Sequence, residues 1–237
     1  MAVFDYNRCK TLFSRYQISI TEEQFAKFSH FQQMMTEESS RQNVSAVNHP
    51  EEIWIRHFLD SAYLSSLIFE KKPHTVLDLG TGGGFPGIPL AILFPELTIT
   101  LLDSEERKLE YCSRVVKALD LHAKCLCGRA EELSKQARYR EQFDMVTSRA
   151  VANGSMLCEL AIPFLKVGGT FAAFKGSGYD PAVERFAEAS AALSANPPVV
   201  LDYQLEEVHK HLILIEKDVP TPPQYPRRFA KIKRSPL

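Results

Sequence analysis

The sequence predicts an α/β fold: an open, mostly parallel sheet with helices on both faces, a closing antiparallel strand pair, and a helical segment in front. Three observations carry that expectation. From Thr75 onward, short β-branched runs alternate with stretches of helical periodicity. The runs are nearly continuously apolar, as strands covered on both faces must be. A glycine-rich turn leaves the first of them, at the edge where an open wound sheet receives its ligand.

Residues 1–70 read as helical. Thr21-Glu22-Glu23-Gln24 is a capping box, in which hydroxyl and amide side chains satisfy helix-end N–H groups, and Phe25, Phe28 and Phe31 then share one side. Pro50 suits a first helical turn, and Ile55, Phe58, Leu59 and Ala62 follow at helical spacing; residues 40–50 form a polar loop between the two helices. Strands are expected at 75–80, 97–103, 123–128, 143–148 and 168–176. Helices are expected at 105–119, where Leu109, Cys112, Val116 and Leu119 step by three and four, and at about 180–193. Right-handed crossovers then wind the sheet. After a turn at Asn196-Pro197-Pro198, the runs PVVLDYQL and KHLILIEK supply the antiparallel pair. The expected organisation is a helical segment (1–70) packed on an α/β core (71–219), then a proline-rich connector and basic tail (220–237).

The 237 residues, 45% hydrophobic and 24% charged, suffice for a sizeable core and exclude a disordered or low-complexity chain. No apolar stretch is long enough to span a membrane, and MAVFDYNRCK lacks a secretory apolar core. The five scattered cysteines contain no CxxC pair, so a reduced cytoplasmic setting is expected. Cys125 and Cys127 are expected to be small buried hydrophobes, and no metal is expected. The net charge of −1 hides an asymmetry: Arg227, Arg228, Lys231, Lys233 and Arg234 crowd the last eleven residues, and without them 23 bases face 29 acids, a net −6. A basic tail on an acidic body points to a polyanion partner, or to a solubilising terminus.

Chemistry concentrates in Asp78-Leu-Gly80-Thr-Gly82-Gly-Gly84-Phe85-Pro-Gly87. Glycines let the chain turn sharply and let a ligand touch the backbone. Gly82-x-Gly84-x-x-Gly87 satisfies a dinucleotide pattern, and Asp103 ends the second strand where a ribose-binding acid belongs. S-adenosylmethionine presents the same ribose diol, so Asp103 does not discriminate. Asp78 discriminates better: a carboxylate facing the loop opposes a pyrophosphate and favours a sulfonium, although it could simply orient loop amides. No GxxxxGK[ST] occurs, which excludes a P-loop nucleotidase.

D-L-G-T-G-G-G-F-P-G-I-P-L (78–90) resembles the signature of the bacterial 16S ribosomal RNA (guanine-N7)-methyltransferases, the family of glucose-inhibited division protein B. The likeness extends over nearly the whole chain: Asn43 with V-S-A-V, R-H-F-L-D-S (56–61), L-L-D-S (101–104), R-A-E-E (129–132), S-R-A (148–150), F-K-G (174–176), His211-Leu212 and the YPR ending. The chain departs from the family pattern before Asn43, where a Trp-Asn pair is missing, and at Gly83, where proline is common.

The resemblance implies a class I S-adenosylmethionine-dependent methyltransferase, a Rossmann-like sheet acting on 16S ribosomal RNA or the small ribosomal subunit. It implies a cofactor lying across Gly80 and Phe85 and Asp103, with Ala130-Glu131 near its adenine and Arg149 near its methionine end. With Asp78, Gly82 and Gly84 these are the expected cofactor residues, and Arg149 the expected catalytic one, as a forked donor for a carboxylate or guanine O6. An ion pair is its plainer alternative. Asn43, Arg56, His57, Lys175, Arg227 and Arg228 are the expected RNA-side residues. Arg56 and Asp60, four apart on a helix, could pair, and His211 reads as structural. Guanine N7 carries a lone pair and no proton, so no general base is needed. Consistent with this, the fourth strand ends in Ser148-Arg149-Ala150 rather than the Asn-Pro-Pro-aromatic loop of amine methylases, and no cysteine nucleophile occupies that loop. A nicotinamide oxidoreductase and a non-catalytic RNA-binding module are the alternatives. A monomer is expected, its tail holding RNA without touching the cofactor.

Overall fold

The structure, a computed structural model, describes residues 4–39, 50–149 and 152–237. It opens with α1 (Tyr6–Ser14) and α2 (Glu22–Ser39). The capping box forms: the Gln24 amide donates to the Thr21 hydroxyl at 3.1 Å and the Thr21 amide to Gln24 Oε1 at 2.9 Å. The helix after Pro50 is not uniform. α3 (Pro50–Ile53) passes into a π-helical turn (Trp54–Leu59) before α4 (Asp60–Ala62), and α5 (Ser65–Lys71) follows. A widened turn shifts the helical register of everything after it, and such turns concentrate at functional sites.

β1 (Thr75–Leu79), α6 (Gly87–Leu93), β2 (Thr98–Asp103), α7 (Glu106–Ala118), β3 (Ala123–Cys127), α8 (Ala130–Leu133), β4 (Phe143–Arg149), α9 (Gly154–Ala161) and β5 (Leu165–Lys175) follow in alternation, with a 3-10 turn (Ile162–Phe164) between the last two. α10 (Pro181–Glu184), α11 (Phe186–Ala192), β6 (Val199–Leu205), β7 (Val208–Glu216) and α12 (Phe229–Arg234) complete the chain. The sheet order is β3-β2-β1-β4-β5-β7-β6. β1 to β5 pair in parallel, while β7 runs antiparallel to both β5 and β6. The strand order reverses between β1 and β4, so a crevice opens at the carboxyl ends of those strands.

Successive strand residues feed opposite faces of the sheet. Val76, Ile99, Leu101, Met145 and Phe174 join α6, α7 and the aromatic interior of the N-terminal helices, where Phe13, Phe28, Phe31, Trp54 and Phe58 are fully or almost fully buried. Leu77, Leu102, Val146, Phe171 and Ile213 join α9, α11 and Ile232 on the other face.

Three details differ from the sequence reading. The single helix expected near 180–193 breaks at Arg185, whose φ of 53° is left-handed. The break drops Phe186 against Gly154, where a Cβ would come within 2.5 Å of its ring. Cys127 is exposed and Cys125 half-buried, because β3 is an edge strand. The tail is no loose appendage: Arg140 donates to the Thr221 and Tyr225 carbonyls, each at 2.9 Å, and Ile232 of α12 is fully buried. Among the described residues no helix is long and apolar enough to cross a membrane, and no cluster of three metal-ligating side chains occurs.

Candidate active site

A cleft of about 490 Å³ opens at the carboxyl ends of β1, β2 and β4. Leu79 to Gly83 and Phe85 line one wall, Leu102 to Glu105 with Lys108 the floor, and Gly128 to Glu131 the far end. His57, Arg149, Ala152, Met156, Leu160 and Phe229 complete the lining.

The glycine loop is held from inside. The Gly80 and Thr81 amides donate to the Leu102 carbonyl at 2.8 and 2.9 Å. Gly82, at φ 56°, turns its amide onto Asp103 Oδ2 at 2.9 Å, and Asp103 Oδ1 accepts from the Glu105 amide at 3.0 Å. Gly84 serves packing: at φ 95°, a Cβ there would strike the Ile88 side chain at 2.3 Å, and the residue does not line the cleft. Asp78 is likewise sealed beneath the loop, fully buried. Its Oδ2 accepts from the Thr81 hydroxyl at 2.6 Å and from the Gly87 amide, at the start of α6, at 2.8 Å. Its Oδ1 has no partner, and burial pushes its pKa up to about 6. Asp78 and Gly84 therefore shape the loop from behind, and Gly80, Gly82 and Phe85 face the cleft.

Opposite, Arg149 at the end of β4 is fixed on several sides. Nη1 donates to the Arg56 carbonyl at 3.1 Å and to Asp60 Oδ2 at 3.2 Å, and Nη2 meets His57 Nδ1 at 2.9 Å. Its guanidinium carbon lies 4.8 Å from the centre of the Phe85 ring, on which His57 also stacks at 4.6 Å. Burial and the Arg149 charge push His57 down to about 3, so its imidazole is neutral, and the donor at Nδ1 leaves the ring proton on Nε2. Asp60, 1% exposed, also accepts from the Tyr203 hydroxyl at 2.8 Å and forms an ion pair with Lys210 Nζ at 2.8 Å.

At the far end, Glu131 is buried and accepts from Arg129 Nε at 2.8 Å. The Arg129 guanidinium lies 4.0 Å from the centre of the Phe229 ring.

Several residues expected on the RNA side are employed otherwise. Arg56 does not pair with Asp60; it reaches Glu52 at 3.8 Å on an exposed surface, because the π-helical turn sends Asp60 inward. Lys175 spends its ammonium on Glu184 at 2.8 Å and the Ala152 carbonyl at 2.9 Å. Arg227 is no free cation: its Nε donates to both oxygens of Glu159, a fully buried carboxylate, at 2.8 and 3.0 Å. Arg228 is exposed. His211 pairs with Asp202 at 2.6 Å across the strand ladder. Asn43 lies outside the described residues. Sequence reasoning missed Tyr203 and Lys210, which carry no local motif, and Phe229, whose segment drew notice only for its charge.

The profile of the GidB family, described as rRNA small subunit methyltransferase G, matches residues 24–213. The chain belongs to this family. Among its GidB relatives is the ribosomal RNA small subunit methyltransferase G of Desulfitobacterium hafniense, 40% identical over 94% of this chain and 93% of the relative. The protein of the same name from Acetivibrio thermocellus is 36% identical over the same shares. Among solved structures, the O-methyltransferase TomG of Streptomyces achromogenes, in complex with SAM, aligns with a TM-score of 0.60 at 18% identity, covering 89% of this chain and 96% of that one. The Bacillus cereus O-methyltransferase in complex with SAH aligns at 0.58 and 17% identity, covering 88% and 96%. This GidB-family chain thus has the class I methyltransferase fold.

Proposed function

We propose that the chain transfers a methyl group from S-adenosylmethionine to N7 of a guanine in 16S ribosomal RNA, acting in the cytoplasm as a monomer. The observation that carries this reading is the seat of Asp78. A dinucleotide site leaves its loop amides and the first helix's N-terminus open for a pyrophosphate. Here the Gly87 amide is taken by Asp78, the Gly82 amide by Asp103, and the Gly80 and Thr81 amides by Leu102. An anionic group there would meet the Asp103 carboxylate with the buried Asp78 charge behind the loop, whereas a sulfonium is favoured by both. Asp103, which also lines the cleft, retains lone pairs for a ribose diol. The residues present fit S-adenosylmethionine and oppose a nicotinamide dinucleotide.

When bound, S-adenosylmethionine supplies an electrophilic methyl group on a positively charged sulfur. Guanine N7 offers a lone pair without a proton, so no side chain must act as a base. The lining accords with that: Asp103 is tied to two amides, Glu131 to Arg129, and His57 is held neutral by its burial and by the Arg149 charge. The chain's work is placement and exclusion of water. Phe85, Met156 and Leu160 supply apolar wall. Arg149 is the residue assigned to the reacting end. With Nη1 doubly engaged and Nη2 singly, Nε–H and one Nη2–H are the donors it can offer a carboxylate or guanine O6. This reading assigns Asn43 and His57 to RNA recognition, and the exposed Arg56, Arg228, Lys231, Lys233 and Arg234 to phosphate contacts.

The test uses small ribosomal subunits from cells lacking this protein, incubated with it and a methyl-labelled donor. Nuclease digestion and mass spectrometry are expected to place the label on N7-methylguanosine. Label on an exocyclic amine or ribose oxygen, or no transfer, would overturn the assignment.

A further inference from the structure

We propose that the C-terminal helix α12 is a working part of the cleft, and that Phe229, backed by Arg129, is the wall against which the base end of the methyl donor packs. The inference rests on the S-adenosylmethionine reading above and adds to it a residue from the far end of the chain.

Among the described lining residues, Phe229 alone comes from beyond position 160. It is half-buried and lines the cleft beside the Gly128–Glu131 turn, where it meets Arg129. Its ring is held in place. The Arg129 guanidinium lies 4.0 Å from its centre, and Arg129 is itself anchored by the buried Glu131. On either side along the chain, Arg227 is clamped to fully buried Glu159 and Ile232 sits in the core. Such anchoring is more than a solubilising tail requires. A fixed aromatic ring beside a delocalised guanidinium makes a surface for a flat π-system, and Asp103, which lines the same cleft and whose carbonyl accepts from the Gly128 amide at 3.0 Å, suits a ribose. In S-adenosylmethionine the flat group is adenine, joined to that ribose; the methionine end has no π-system to place there.

The experiment measures binding of S-adenosylhomocysteine and 5′-methylthioadenosine by calorimetry to the full-length protein and to Phe229→Tyr, Phe229→Leu and Phe229→Ala. Leucine keeps apolar volume while removing the π-face. We expect the tyrosine variant to bind within about threefold of the parent, and the leucine and alanine variants to lose about tenfold or more for both ligands, as base–aromatic stacking is worth. Nuclear Overhauser contacts from the adenine H2 and H8 protons to ring-labelled phenylalanine provide a readout in the unaltered protein, independent of any variant's folding. A contact that disappears in Phe229→Leu is expected. If Phe229→Leu binds both ligands like the parent, or no such contact exists, the inference is overturned while the cofactor assignment stands. If the parent itself binds neither ligand, the cofactor assignment falls and takes the inference with it.

Discussion

Asp60 and Arg149, 89 residues apart in sequence, meet in a 3.2 Å ion pair beneath the rim of the cleft. Tyr203 donates to the same carboxylate and Lys210 pairs with it, so a single acid ties the N-terminal helices to β4, β6 and β7. Removing one partner of a buried pair leaves the others uncompensated. Asp60→Asn should lower the unfolding free energy by about 3 kcal/mol and, by releasing Arg149, reduce methyl transfer about a hundredfold. Urea denaturation alongside single-turnover assays measures both. Retention of full activity would show that Arg149 holds its position without Asp60.

Arg149→Lys separates charge from geometry. Lysine keeps the positive charge but cannot reach Asp60, the Arg56 carbonyl and His57 together. Because Tyr203 and Lys210 still serve Asp60, stability should fall by only about 1 kcal/mol, while turnover falls about a hundredfold. Equal losses in stability and in transition-state free energy would reduce Arg149 to a structural tie.

Asp78 and His57 give the folded protein opposing pH dependences in an overlapping window. Burial raises Asp78 to about 6, so the folded state binds more protons than the unfolded state between about pH 4 and 6. Its contribution to stability is present below about pH 4 and is lost as pH rises through 6. His57 is depressed to about 3, so its contribution is present above about pH 6.5 and is lost as pH falls toward 3. The difference between the stability profiles of parent and Asp78→Asn should therefore slope downward with rising pH, by roughly 2–3 kcal/mol across that window. A flat difference profile would mean that Asp78 is not perturbed. Because a sulfonium favours ionised Asp78, donor affinity should also weaken below about pH 6 in the parent, and less so in the variant.

The tail should divide into two sets of residues with separable effects. Lys231, Lys233 and Arg234 are exposed, whereas Arg227 and Ile232 are packed against the core. Replacing the three exposed cations by alanine should leave the melting temperature unchanged and flatten the salt dependence of RNA binding by about two to three in slope. Deleting residues 227–237 should instead destabilise the fold, since it strands the buried Glu159 carboxylate without its partner. A deletion as stable as the parent would mean that the Arg227–Glu159 pair contributes nothing net.

Much of the frame was legible before any coordinates. The strand at 75–79, the glycine loop after it, the acid at 103 and the antiparallel pair at the end each left a local signature of periodicity or turn chemistry. The left-handed break at Arg185 and the π-helical turn at Trp54–Leu59 left none, since each answers to what it packs against. The same holds for the hub around Asp60, whose partners sit on β4, β6 and β7.

By itself the amino-acid order determined most of the elements, their parallel winding, the family and the place of the glycine loop after β1, because these rest on spacings of a few residues. Only the tertiary structure decided how individual charges are employed: that Asp78 seats the loop from below, that Arg227 neutralises Glu159, that Lys175 serves Glu184, and that Phe229 lines the cleft. The physical reason is that a charge's role depends on burial and on which opposite charge stands within about 4 Å, and chain separation carries no information about either.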